Sequence, residues 1–495
     1  MAVSFRVMIT TLSNIAHFNY LERFNEQRDL SKRSLRFNLQ KLLDVAVDVV
    51  GNGARSCVKI LKCSEGLHNK AFLLTMDNGV EVFAKLPNPN AGPVHYTTLS
   101  EIATRDFLRE VFHIPVPRIF AWSADPKNPV EAEYIIEEKA PGVRLMVEME
   151  NSLASMSFSK HGCIYFKKYL YKIAGDAADL SISRSVAPEV LNRFAIGPLT
   201  SAEFWVNGRA DMNLDRGPWQ NSREYMQAIG RNEIAWIKSH ATPRMNYYRS
   251  LRDPELPEEA LSLLSQYMGA ASYLVPQYAE EANSMVFWHP DLHLNNVFCG
   301  VPRMFRHTKL VREGWVVPER PADFENLSED EKRQIDEDLE NETIHKYYEA
   351  QVYKRAPRHW AVLRQKIIPI IRKPVWLVTG VWEKRDVFLR QSLISLAAHW
   401  DELCPNDVST CPINFSKQEL ELHLKEDENM DGIGHLLVLF RDQGVLPVDG
   451  MVDPKDYEIA KRNSQKFKEV FVELATDDEE RELFSKLWPY QDLES

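Results

Sequence analysis

FWHPDLHLNNVFC, residues 287–299, is the stretch on which the reading of this chain turns. Two short apolar runs, 285–288 and 297–299, enclose a polar loop, and such a loop lets a rigid scaffold hold polar side chains against a ligand. Asp291 and Asn296 stand five apart, with His289 two positions before the aspartate. Each has a plain structural use as well. Asp291 can cap or turn the loop, and Asn295 or Asn296 can satisfy loop backbone groups.

The residues upstream favour chemistry over turn-making. Segments 58–61, 71–75 and 80–86 read as strands, the last two joined by Asp77-Asn78-Gly79, a tight hairpin turn, so an antiparallel sheet is expected. A helix is expected from near Thr98, with Glu101 closing a capping box, and Pro115 and Pro117 mark its far side. Strand-like stretches 118–122 and 134–138 then lead to Ala140-Pro141-Gly142, a breaker suited to a hinge. Before the sheet, Leu35, Leu39, Leu42, Leu43, Ala46 and Val50 give residues 18–50 a helical period. Beyond the hinge the pattern is mainly helical, with 256–267 and a long charged helix opening at Ser328-x-x-Glu331.

Phe83-Ala84-Lys85 ends the third strand, where kinases keep a lysine that contacts nucleotide phosphates and pairs with a helix glutamate; Glu101 is the natural partner. An Asp with an Asn five on and a His two before is likewise the spacing of a kinase catalytic loop. In phosphoryl transfer the protein positions reactants and neutralises charge: a carboxylate receives the hydroxyl proton, and an amide oxygen helps hold magnesium. The 64–70 connection, with Gly66 and Asn69, offers backbone amides to phosphates, although an ordinary hairpin would look similar.

Composition narrows the alternatives. The chain has 495 residues, 44% of them hydrophobic, and a formal net charge of −11. That length suits two or three packed units. The acidity argues against a general nucleic-acid binder, which needs a basic stripe to release counterions. Cysteines 57, 63, 163, 299, 404 and 411 show neither a CxxC pair nor zinc-finger spacing. No window approaches the run of about 20 apolar residues that a spanning helix needs. The first residues, MAVSFRVMITTLSNIAH, lack acidic side chains and carry Ser, Thr and one Arg, a thin version of an organelle presequence.

With these residues in view, the chain resembles the fungal branch of the aminoglycoside-phosphotransferase-like family. The matching stretches are SEGLHNKAFLLTMDNG, FAKLPNPNAGPVHYTTLSEIATRDF, EAEYIIEEKAPG, FWHPDLHLNNVF, and the tail from HKYYEAQVYKRAPRHWAVL to LWPYQDL. The resemblance implies an α+β, bilobal protein-kinase-like fold with a small antiparallel-sheet N-lobe and a mainly helical C-lobe. The corresponding divisions are an N-terminal segment and helix (1–50), a nucleotide-binding N-lobe (51–139), a helical C-lobe with the catalytic loop (140–415) and an acidic helical extension (416–495). It further implies ATP and Mg2+ as cofactors, Asp291 as catalytic base beside His289, Asn296 as metal ligand and Lys85 paired with Glu101. Gly66 and Asn69 would face the phosphates, and the adenine would lie near Glu138 to Ala140. The partners it implies are a nucleotide and a small hydroxyl compound, and mitochondrial association follows by analogy.

The chain departs from the family pattern in one place that bears on catalysis. Relatives continue from the loop to a second apolar strand ending Ile-Asp-Trp-Gln, whose Asp is the other magnesium ligand. Here Val297-Phe298-Cys299 runs directly into Gly300-Val301-Pro302, and the next acidic residues, Glu313, Glu319 and Asp323, end no apolar strand. A cation that dehydrates reluctantly then loses a charged ligand. Two expectations follow: an ATP-dependent phosphotransferase with an incomplete metal site, or an inactive pseudokinase that binds nucleotide or a protein.

Overall fold

The computed structural model describes residues 34–63, 68–114, 116–139, 157–170, 178–182, 186–275, 285–286, 319–355, 357, 360–361, 367–404, 410–442 and 456–488. Two compact units divide the chain: one comprises Leu35–Ala228 and Ala271–Arg372, the other Met1–Ser34, Ile229–Ala270 and Lys373–Ser495.

The first unit opens with helix α1 (Leu39–Val50). Asn38 caps it, its side-chain oxygen accepting from the Lys41 backbone N–H at 3.2 Å. Leu35, expected within this helix, precedes it and packs beside the same core. Strands β1 (Cys57–Lys62), β2 (Asn69–Met76), β3 (Glu81–Pro87), β4 (Ile119–Ser123) and β5 (Tyr134–Glu138) form one antiparallel sheet in the order β1-β2-β3-β5-β4. The expected hairpin is present: Gly79 sits at φ 82°, where a side chain would be strained, and the Asn78 side-chain oxygen accepts from the Val80 N–H.

Strand alternation assigns the two faces of this sheet. Phe72, Leu74 and Met76 of β2 and Val82, Ala84 and Leu86 of β3 are buried against Leu42 and Ala46 of α1. The other face receives α2 (Tyr96–Glu110), whose Leu99 and Ile102 pack with Ile135 of β5. One and two turns beyond Leu99, Ala103 and Phe107 of α2 pack on Ile164, Phe194 and Ile196. Those last residues belong to a second sheet, β7-β9-β8, built from Cys163–Phe166, Phe194–Gly197 and Ala178–Asp179. A two-residue strand β6 (Ser157–Phe158) pairs with β10 (Met285–Val286). Sequence periodicity foresaw none of β6 to β9: β6 and β8 are two residues long, too short to show a period, and the short apolar runs of β7 and β9 do not distinguish strand from helix.

Helix α2 starts earlier than expected and is capped differently. Thr98 lies inside it with its hydroxyl buried and unpartnered among the described residues. His95 is the N-cap at φ 69°, without a side-chain cap bond. Its backbone N–H instead donates to Glu133 Oε1 at 2.7 Å.

The other helices of ten or more residues among those described are α3 (Ser222–His240), α4 (Pro257–Ala271), α5 (Glu329–Arg355), α6 (Ile367–Leu377), α7 (Asp386–Ala398), α8 (Lys417–Asp442), α9 (Tyr457–Glu473) and α10 (Asp478–Leu487). The chain is thus mixed α and β, with an antiparallel sheet near its N-terminus and a mostly helical C-terminal part. Within the second unit, α9 meets α10 through stacked Phe471 and Phe484, 4.7 Å between ring centroids, and Ile433 of α8 clusters with Leu487. Helix α10 therefore has an apolar side that is packed, while its Asp478, Glu479 and Glu482 are exposed.

Burial pushes the Glu133 carboxyl up to about 7, against the lowering effect of the bond from His95, with Asp125 adding to the rise. A carboxyl raised in the folded state contributes fully below its unfolded value near 4.5 and loses that contribution as pH climbs towards 7. Glu133→Gln, which keeps an oxygen for the His95 N–H, should therefore match the parent at pH 4 and exceed it at pH 8 by about 1–3 kcal/mol. Urea unfolding at both pH values checks this; equal midpoints at pH 8 would contradict it.

Candidate functional site

The parity that buries Val82, Ala84 and Leu86 on the α1 side turns Phe83 and Lys85 to the α2 side. Lys85 stands opposite Ala71 on one flank and Ile135 on the other. Glu101 lies next to Ile102 on α2, and the apolar contact of Leu99 and Ile102 with Ile135 brings it within reach. Lys85 Nζ and Glu101 Oε1 are 2.7 Å apart, their side chains 27% and 25% exposed. This is the pair the sequence predicted. It also replaces the capping role that Glu101 could have had.

The pair is one link of a longer chain of alternating charge. Arg105, one turn beyond Glu101, has Nη1 3.6 Å from Glu101 Oε1, donates to Glu137 of β5, and donates from Nη2 to the Pro117 carbonyl at 3.2 Å. Burial acts to raise the Glu101 carboxyl, but the Lys85 and Arg105 cations outweigh it and hold it below the usual carboxylate range. Glu101 is therefore ionised at neutral pH. The Lys85 ammonium has three donors, and the bond to Glu101 uses one, so an anion beside it can take another.

The other predicted positions fall into two groups. Asn69 is the first residue of β2, opposite Pro87, and Glu138 is the last of β5, opposite Val82. Glu138 is exposed, its Oε2 accepting from the Arg118 backbone N–H at 3.2 Å. Lys85 thus lies on β3 between the ladder positions of these two residues. Gly66, Ala140, His289, Asp291 and Asn296 lie outside the described residues. The strand leading towards the 287–299 loop is described, and it is tied to α2: Met285 of β10 is opposite Phe158 of β6, whose ring is 6.2 Å from that of Phe107. Of the acidic residues after the loop, Glu319 and Asp323 are exposed, and Asp323 precedes a short 3-10 turn rather than ending a strand.

Arg105 and Glu137 were missed in the sequence. Arg105 carried a readable signal, its i,i+4 spacing from Glu101. Glu137 carried none, because its role depends on strand pairing across the sheet.

A second charged cluster, in the other unit, has ligand-like composition and a different use. One carboxylate oxygen each from Glu255, Asp386 and Glu426 lie within 4.8 Å of one another, all three residues buried. Arg244 reaches Glu255 at 2.9 Å and Asp386 at 3.2 Å, Arg390 reaches Glu426 at 3.1 Å, and Asn246 donates to Glu255 and Glu426 at 2.6 Å. Burial and mutual repulsion push Glu255 and Glu426 upward in pKa. Two guanidiniums already compensate the trio, so it is a buried structural network rather than a cation site.

The chain is 28% identical to a subtelomeric hrmA-associated cluster protein of Aspergillus fumigatus over 517 aligned positions, covering 88% of this chain and 97% of the relative. That alignment is longer than this chain, so the relative carries positions with no counterpart here. It is 22% identical to altered inheritance of mitochondria protein 9, mitochondrial, of Yarrowia lipolytica, covering 61% of this chain and 56% of the relative. To the Saccharomyces cerevisiae protein of the same name it is 21% identical, covering 73% and 68%. No family model matches the chain, and no solved structure matches it.

Proposed function

We propose that the chain is an aminoglycoside-phosphotransferase-like, ATP-dependent phosphotransferase for a small-molecule hydroxyl, with a protein-kinase-like fold. The observation that carries this reading is the Lys85–Glu101 ion pair, which joins the third strand of a five-stranded antiparallel sheet to the helix packed on it. An ionised glutamate fixes the lysine ammonium on a partly open face, which is the arrangement needed to contact nucleotide phosphates. Glu138 is three ladder positions along β3 from Lys85, roughly 10 Å at strand spacing, and this odd offset turns its side chain to the other face of the sheet, so a base held there would meet the backbone at the end of β5.

ATP, with Mg2+, would supply the transferable phosphoryl group. The residues present fit its phosphates at Lys85, where donors remain beyond the one given to Glu101. Lys85 binds and orients, Glu101 and Arg105 keep it in place, Asp291 accepts the proton of the acceptor hydroxyl, and Asn296 offers its amide oxygen to the metal. The tie from β10 through Phe158 to Phe107 supports convergence, since it links the approach to the HPD loop with the helix that carries Glu101.

A second reading has its own observation. Asp323 follows no strand among the described residues and instead precedes a short 3-10 turn, so it does not supply the second carboxylate ligand that relatives carry at a strand end. In that reading the chain is a pseudokinase that binds nucleotide without turnover. Two relatives are named as mitochondrial, and by analogy this chain acts in mitochondria. Protease protection in isolated mitochondria is the expected result, and recovery in the cytosolic fraction alone would remove that assignment.

ATP with Mg2+ at a hundredfold excess over its Kd should stabilise the protein by about 2.7 kcal/mol. Lys85→Met should abolish the shift without lowering the ligand-free melting temperature greatly; an undiminished shift would exclude Lys85 as a phosphate contact. Phosphate transfer by the parent and its loss in Asp291→Asn would support the catalytic reading. Transfer surviving Asp291→Asn would remove Asp291 as base, and absence from both proteins would favour the pseudokinase.

A further inference from the structure

We propose that the first unit carries a separate binding site for a polyphosphorylated small molecule, on the side of α2 that carries Arg105 and Arg109. A cleft of about 680 Å3 opens there, lined by α2, β4 and residues 166–169 and 192–193. Its volume is in the usual range for small-molecule sites, about 300–1,000 Å3. Its walls hold Arg105, Arg109, Arg118, Lys167, Lys168 and Arg193, against one lining carboxylate, Asp106.

These cations divide into compensated and uncompensated sets. Arg105 is committed to Glu101 and Glu137, Lys167 to Asp179 at 2.6 Å, and Arg193 to Asp106 and Glu110. Arg109, Arg118 and Lys168 have no carboxylate partner among the described residues. Arg109 donates to the Val116 carbonyl at 2.6 Å. Arg118 lies over the Phe120 ring, 5.9 Å from its centroid, and Lys168 lies 4.6 Å from the centroid of Tyr169, which itself meets Trp122 edge to face. Ring faces hold cations in position without neutralising them. The positive charge at this cleft therefore remains available to a ligand.

The surroundings make the concentration of charge informative. The chain carries a net charge of −11, so its overall field repels anions, and a local basic cleft is not the by-product of a basic surface. A nucleic-acid duplex would need an extended stripe of cations. Uncompensated cations around one concavity suit a compact ligand bearing several phosphates. Pairing with phosphate oxygens would give Arg109, Arg118 and Lys168 the charge-assisted bonds they otherwise lack.

The test is isothermal titration calorimetry of the full chain with tripolyphosphate at low and high salt. Binding that weakens with salt is expected, together with a loss of roughly tenfold or more in each of Arg109→Gln, Arg118→Gln and Lys168→Gln, whose exposed positions leave the fold intact by circular dichroism. Lys85→Met should bind with parental affinity. Absence of binding by the parent, or unchanged affinity in all three cleft variants, would overturn the proposal. Loss confined to Lys85→Met would place the anion at the phosphate contact of the proposed ATP site and also overturn it, while leaving the phosphotransferase reading standing.

Discussion

Helix α2 is buried on two sides, and much of the first unit depends on this. Leu99 and Ile102 pack with Ile135 of the five-stranded sheet and with Tyr165 and Ala195 of the three-stranded one, and Ala103 and Phe107 add to the contact with the latter. Each such large side chain contributes about 1.5–3 kcal/mol through burial. A helix held between two sheets has little freedom to rotate about its axis. The direction in which Glu101 points is therefore set by apolar packing, and the ion pair with Lys85 forms on a framework already in place. Arg105 and Glu137 then extend the same charge chain back to β5.

Charge is handled differently in the two units. In the second, Glu255, Asp386 and Glu426 are closed off by Arg244, Arg390 and Asn246, so every strong acceptor has a partner inside the protein. Such a network costs desolvation and returns specificity of packing at best. In the first, Lys85 and Glu101 each keep about a quarter of their side-chain surface accessible. Partial exposure lets a ligand compete for the lysine without uncovering a fully buried charge. This contrast, more than the presence of charged residues, separates a candidate site from a structural cluster.

Legibility followed the range of the interactions involved. Strand parity in 71–75 and 80–86 and the Asp77-Asn78-Gly79 turn were readable because both are local, and they place Lys85 on its face. The Lys85–Glu101 pairing came from spacing combined with a resemblance. The start of α2 was misread because its cap is not a local Ser or Thr. The His95 N–H is satisfied by Glu133, far along the chain, and Thr98 is simply enclosed. The strands within 157–197 were missed since Cys163–Phe166 and Phe194–Gly197 are short apolar runs that only pairing with each other defines. Of the HPD loop, the structure describes the approach through Met285–Val286, while His289, Asp291 and Asn296 lie beyond the described residues.

The central claim is that the Lys85 ammonium faces nucleotide phosphates. An ATP analogue carrying an acyl phosphate on its terminal phosphate acylates a lysine held against that group, and peptide mass spectrometry locates the modified residue. The account predicts labelling at Lys85 that excess ATP suppresses. Labelling that spares Lys85, or that ATP leaves unchanged, would contradict it.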